Sequence, residues 1–411
     1  MFVILYIDPG TGSMLFTILI GIITAGVYFF RDALIKLRFL FTGGAQHAKA
    51  EAKMPYAIFT DSKRYWNIFG PICREFDRRG EELVYMTASP DDPALSESFE
   101  HVRCEFIGEG NKAFAKLNML KADILISSTP GVGVYQWQRS RDVSYYVHVP
   151  HGANDPAMYR MFGLDYYDAV LCSGEYQIRQ IRKLEELRHL PPKDLYIAGL
   201  IYMDVMKERL DHAPALPPHE TTVLLAPSWG VNSIFSRFGG KIIEALLQTG
   251  YHIIVRPHPQ SYTSDKEVLD QIMRDYPAGS QLEWNRDNDN FDVLRRSDIL
   301  ISDFSGVIFD FSLVFDKPII YADTSYDKAP FDACWLEEEM WTFEVLPKIG
   351  MQLTADNLDS LKTLIDTCRS DPRFQAARDQ ARAETWENMG NGVEATVDYL
   401  INRHHALFHS D

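Results

Sequence analysis

Short, continuous apolar runs recur along the chain, separated by segments whose apolar residues return every three or four positions. In the first half the runs are Tyr56 to Phe59, Leu83 to Met86, Asp123 to Ile126, Val143 to Val147, Ala169 to Cys172 and Leu195 to Ala198, and the segments between them include Trp66 to Arg79 and Tyr176 to Leu187. A strand apolar on both faces is covered on both faces, so these runs predict parallel strands with helices packed over them. A proline-rich break, Asp211 to Pro218, interrupts the rhythm. It resumes with Val223 to Ala226, His252 to Val255, Ile299 to Ser302 and Pro318 to Tyr321, with helices from about Lys241 to Thr249, Lys266 to Asp275 and Val307 to Phe315. Helical spacing from Asn357 to Cys368 and from Pro372 to Leu400 closes the chain. Repeated strand and helix alternation of this kind defines a doubly wound α/β fold.

A chain of 411 residues exceeds what one core organises, so two domains are expected, at residues 55–210 and 219–401. Residues 1–42 stand apart. Met14 to Phe30 carries no charge and matches the shortest stretches that cross a bilayer. Arg31, Lys36 and Arg38 follow it. A cleaved leader has its charges ahead of the apolar run, so this order predicts a membrane anchor with the rest of the chain on the cytoplasmic side. An interfacial hairpin turning at Asp8 to Gly12 is the alternative.

The formal net charge of -16 excludes nucleic acid as the main partner, because phosphate-backbone binding needs a basic surface. Any phosphate must be held locally. The five cysteines are scattered and never spaced CxxC, which fits reduced thiols rather than disulfides or zinc. No metal or cofactor is called for.

Three strand ends carry chemistry. Arg256-Pro257-His258-Pro259 follows the run Tyr251 to Val255, and the flanking prolines fix the backbone and remove its donors. An arginine and a histidine held there suit an anion, since ligands of open α/β sheets collect at the carboxyl ends of the strands; a helix cap or surface ion pair is the plainer reading. Val147-His148-Val149-Pro150-His151-Gly152 places a second histidine after a second strand. His151 is then either a proton acceptor for an attacking hydroxyl or a satisfied turn residue, while His148, inside the strand, reads as structural. Ser302-Asp303-Phe304-Ser305-Gly306 leads from a strand into a helix. Asp303 or Ser305 is an N-cap there, or the helix start binds an anion. Asp310, on the face of Asp303, could accept from a polyol hydroxyl. Ser127 to Gly133 and Asp287 to Asp289 are weaker candidates, for a cleft loop and a metal site.

Pro150-His151-Gly152, Ala226-Pro227-Ser228-Trp229, Arg256-Pro257-His258-Pro259 and Ser302 to Phe311, in this order, resemble the CDP-glycerol:poly(glycerophosphate) glycerophosphotransferases of teichoic acid synthesis. The resemblance implies a GT-B-like fold, two Rossmann-like domains with a cleft between them. It also implies transfer of glycerol phosphate from CDP-glycerol to a hydroxyl of a membrane-bound glycan or lipid-linked acceptor, with release of CMP. By the same resemblance His151 is the base, Gly152 and Asp155 belong to the donor site, and Pro227 and Ser228 touch the nucleotide. Arg256, His258, Ser305 and Gly306 hold the donor phosphates, and Asp310 binds the polyol. Three positions depart from the pattern: Tyr202 stands where an arginine is expected, Gly306 replaces a serine, and Gly230 replaces the arginine after the tryptophan. Another CDP-polyol such as CDP-ribitol remains open, as does glycosyl transfer from a nucleotide sugar, because the fold alone does not choose the donor. A nucleotide-binding scaffold without turnover is the non-enzymatic alternative.

Overall fold

The computed structural model describes residues 53–287 and 289–409. The expected anchor, Met14 to Phe30, lies outside them, and among the described residues no helix is long and apolar enough to cross a membrane.

From Met54 onward the chain forms two wholly parallel sheets. The first holds β1 (Met54–Thr60), β2 (Leu83–Thr87), β3 (Val102–Phe106), β4 (Ala122–Ser127), β5 (Val143–His148), β6 (Ala169–Cys172) and β7 (Asp194–Ile197), in the order β3-β2-β1-β4-β5-β6-β7. The second holds β8 (Thr222–Leu225), β9 (His252–Val255), β10 (Leu282–Trp284), β11 (Ile299–Ser302), β12 (Ile319–Ala322) and β13 (Gly350–Leu353), in the order β10-β9-β8-β11-β12-β13. Both orders reverse direction after their first strand, at β1/β4 and β8/β11. That reversal opens a crevice at the carboxyl ends, where ligands of such sheets bind.

The apolar runs read from sequence are these strands. β3, β10 and β13 were not evident as runs, and all three are edge strands. β3 reads Val-Arg-Cys-Glu-Phe with only Val102 fully buried, since an edge strand needs no second apolar face. The helix expected from Pro372 to Leu400 is two helices, Arg373–Thr385 and Gly392–Phe408. The break holds Asn388 (φ 57°) and Gly390 (φ 78°) in the left-handed region. Asp204 fixes it, accepting from the Trp386 indole (2.8 Å) and from the amides of Gly390 (2.7 Å) and Gly392 (3.1 Å). The last helix thereby returns to the first sheet, where His404 meets Asp123 at 3.0 Å and Tyr399 stacks on Tyr196.

Two buried carboxylates join the halves. Asp155, beyond β5, accepts from the amides of Trp341 (3.0 Å) and Thr342 (2.9 Å) and from the Thr342 hydroxyl (2.6 Å). It thus caps, from the opposite half, the helix Trp341–Ile349, which has no side-chain cap of its own. Gln180 fills its remaining direction at 2.8 Å. In return Asp332 of the second half accepts from the amides of Phe162 (2.9 Å) and Gly163 (3.3 Å) and from Arg188 (2.8 Å). Its donors hold Phe162 at a φ of 68°, which a bulky side chain adopts only under constraint.

Removing one acceptor strands several buried donors, so Asp155→Ala should lower the unfolding free energy by about 3 kcal/mol. Denaturant titration with an unchanged slope reads this directly. A loss below roughly 0.5 kcal/mol would mean that the capping bonds are replaced by water.

Candidate active site

The crevices of the two sheets meet in a cavity of about 500 Å³, a size that holds a small ligand. Its walls come from both halves: Arg64 beyond β1, and Arg256, Asn285 and Asp287 beyond β9 and β10.

Arg256 is held by its neighbours, and the carboxylates of Asp287 and Asp289 lie within electrostatic range of it. One guanidinium nitrogen donates to the Asn285 side-chain oxygen and the other to the Asp287 carbonyl at 2.8 Å. Burial pulls its pKa below the usual arginine value, against the opposing charges of Asp287 and Asp289. Two residues on, the His258 Nδ1 accepts from the Gln260 amide at 3.1 Å, which leaves Nε2–H as a donor. Desolvation, with the charge of Arg64, lowers the His258 pKa to about 4. It is therefore a neutral hydrogen-bond donor at neutral pH, with the half-exposed Trp229 beside it.

His151 faces this site from the first half. The residue is open to the cleft, yet Tyr65 and Tyr159 crowd its ring at centroid distances of 5.4 and 6.0 Å. Enclosure at longer range desolvates the ring and, with the charge of Arg64, lowers its pKa to about 4. The imidazole is neutral and able to accept a proton. His148 is buried, shares a 3.0 Å hydrogen bond with the Tyr159 hydroxyl, and backs the aromatic wall.

The third strand end is built from within. Asp303 is buried and accepts from the amides of Ser228 (3.0 Å), Ile234 (3.2 Å) and Phe304 (2.9 Å), so it shapes the loop after β8 rather than facing a ligand. Pro227 and Ser228 are buried in that loop. Ser305 and Gly306 open the helix Val307–Phe309, which widens into a π-helical turn over Asp310–Val314; such turns often re-aim side chains at functional sites. Desolvation raises the Asp310 pKa to about 7 against the opposing hydrogen bond of Asn290. Asn290 also accepts from the Tyr202 hydroxyl at 3.1 Å, and Tyr202 in turn lies within electrostatic range of Arg256.

Of the residues expected at the site, Arg256 lines the cavity, His151 and His258 lie within electrostatic range of Arg64 on its wall, and Asp310 connects to Arg256 through Tyr202; Ser305 and Gly306 start the helical turn that carries Asp310. Asp155 has another task, since its oxygens are filled by the capping bonds between the halves. Sequence reasoning missed Arg64, Asn285 and Asn290. Asp287 borders the cavity and Asp289 pairs with Arg209, while Asn288 lies outside the described residues. Among the described residues no group of three or more His, Cys, Asp or Glu side chains is placed to hold a metal ion.

Two Rossmann-like sheets facing one cleft, with the last helix returned to the first sheet, make this a GT-B-like α/β protein. Residues 202–333 match the family described as CDP-Glycerol:Poly(glycerophosphate) glycerophosphotransferase. The matched stretch contains Arg256, His258, Ser305 and Asp310 but not His151. No curated protein matches the chain. Among solved structures it is similar to the wall teichoic acid polymerase TagF soaked with CDPG, at 15% identity over 92% of this chain and 98% of that one, with a TM-score of 0.56. It is also similar to the Methanocaldococcus jannaschii UDP-GlcNAc 2-epimerase in complex with UDP-GlcNAc and UDP (13% identity, 85% and 100% coverage, TM-score 0.58). A glycosyltransferase from Rickettsia africae is a third (11% identity, 87% and 100% coverage, TM-score 0.51).

The lowered histidine pKa values have a visible consequence. In a pH titration followed by NMR, His151 and His258 should titrate near pH 4, well below the roughly 6.5 of a free imidazole. Because the unfolded chain binds these protons more readily, stability from the two rings is full above about pH 6.5 and lost as pH falls towards 4. Midpoints near 6.5 would show rings in open water.

Proposed function

We propose that this protein transfers glycerol phosphate, or a related polyol phosphate, from a CDP-activated donor to a hydroxyl of a membrane-associated glycan or polymer. The observation that supports the reading is a neutral histidine of one half and a hydrogen-bond-donating histidine of the other, both within electrostatic range of Arg64 on the wall of a cavity that Arg256 also lines. The acceptor oxygen attacks the donor phosphorus that bears the polyol, and the bond to the bridging oxygen of CMP breaks. The proton passes to His151. Arg256 and the His258 Nε2–H bind the phosphoryl oxygens and the departing CMP. Donor phosphates would offset the charge of Arg64 and lift the His151 pKa towards neutrality, where a general base works best. Asp310, with Asn290, receives the polyol hydroxyls.

One feature favours a second donor class. Tyr202 stands where the resembled family carries an arginine, next to Asp310 and Arg256, so the polyol side of the site is less cationic. CDP-ribitol, or a nucleotide sugar in glycosyl transfer, is the alternative this supports.

Purified protein given CDP-glycerol or CDP-ribitol and an acceptor should release CMP. His151→Ala and His258→Ala should each lower turnover by about 10²–10⁴-fold, with donor affinity falling only in the second. Turnover of a UDP-sugar without any CMP from CDP-polyols would replace this reading with the second one. The acceptor is placed at the membrane by the anchor proposed at Met14 to Phe30, which puts the catalytic halves in the cytoplasm. The full chain should therefore stay with membranes through a high-salt wash, while a chain starting at Thr42 should be released; release of both under salt would refute insertion.

A further inference from the structure

Arg64 is the one cation on the cavity wall that comes from the same half as His151 and has no bound partner for its charge among the described residues. Its position is set by Ser62, which caps the short helix Lys63–Tyr65 and accepts from the Arg64 amide (3.4 Å) and Nε (3.3 Å). That bond uses the inner edge of the guanidinium and leaves its outer nitrogens towards the cavity that Arg256 lines from the other side. Lys63 next to it is already paired with Asp91. Asp61 senses the Arg64 charge from beyond ion-pair distance. An exposed arginine is ordinarily a solvated surface residue, but this one lines an open cavity together with Arg256 in a protein of net charge -16. Two guanidinium groups line one cavity, with Asp287 beside Arg256, and an anion can bridge the two cations there.

We propose that Arg64 is a catalytic residue that binds the phosphoryl group being transferred, while Arg256 holds the phosphate that leaves with the nucleotide. The division follows from the architecture. Arg64 adjoins Tyr65, whose ring packs on His151, so its guanidinium lies on the side from which the acceptor attacks. Arg256 and His258 lie on the side of the nucleotide-binding sheet. A diphosphate spanning the cavity then has one phosphate beside each arginine, and charge developing on the attacked phosphorus is met from the acceptor side as well. The assignment rests on reading the site as one for a diphosphate donor.

The experiment compares wild type, Arg64→Gln and Arg64→Lys. With wild-type turnover of CDP-glycerol established first, Arg64→Gln should lower kcat/KM for the donor by about 10²–10³-fold, the usual cost of removing one transition-state donor. Arg64→Lys should recover part of it. In calorimetry, affinity for CMP should stay within about twofold, and affinity for inorganic pyrophosphate should fall at least about tenfold. A donor kcat/KM within about threefold of wild type in Arg64→Gln would overturn the proposal. So would an equal loss of CMP and pyrophosphate binding, which would put Arg64 on the leaving nucleotide, or a rise confined to the acceptor KM, which would put it on a phosphate of the acceptor. If wild type turns over no CDP-polyol, the functional reading fails, and the pyrophosphate measurement still decides whether Arg64 binds the diphosphate.

Discussion

The reciprocal capping by Asp155 and Asp332 is the constraint on which the rest depends. Each sheet builds its own crevice from its own strand order, and the cavity is lined by residues of both halves. Their registration is set where two buried carboxylates each take their donors from the facing half. Backbone amides at a helix start are fixed in direction by the helix, so a carboxylate that satisfies two of them sets angle as well as distance. The stacking of Tyr176 on Trp341 at 4.5 Å fills the space beside the first clamp with apolar surface. Dry surroundings strengthen those bonds and make their loss costly.

The electrostatics of the cleft follow from the same arrangement. Bringing the halves together encloses His151 and His258 with Arg64, and enclosure plus a nearby positive charge drive both rings neutral. Arg64 and Arg256 line the cavity together with Asp287, within a protein whose net charge is -16. The overall negative charge repels a polyanion from the surface, and only a ligand small enough to enter the cavity meets the cations. This separates the bulk charge, legible in composition, from the local charge, which required the fold.

Much of the fold was legible because parallel strands covered on both faces leave unmistakable apolar runs, and the strand ends then named His151, Arg256, His258 and Asp310. What stayed hidden had physical reasons. Edge strands β3, β10 and β13 carry polar residues because one side meets solvent. The break at residues 386–391 depends on Asp204, nearly two hundred positions earlier in the chain and invisible to local periodicity. Arg64 follows β1, but only the strand order shows that β1 borders the crevice. The family resemblance assigns Asp155 to the donor site; its partners, Trp341 and Thr342, are distant in sequence and belong to no motif.

The departures from the resembled family's pattern become coherent in this geometry. A Cβ at position 306 would stand 2.6 Å from the Asn154 side-chain oxygen, so glycine there lets the first half reach over the helix start. Gly230 adopts a φ of 84° and gives its amide to Asp265 at 2.9 Å, where a residue with a side chain would be strained. Tyr202 spans to Asn290, which serves Asp310. An arginine at that place would hold the Asp310 carboxyl well down by its charge; a neutral phenol leaves burial dominant, and the pKa rises to about 7. Near neutrality such a carboxyl is partly protonated and both donates and accepts hydrogen bonds. With a phenol at position 202, Asp310 is thus a hydrogen-bonding group rather than a fixed charge.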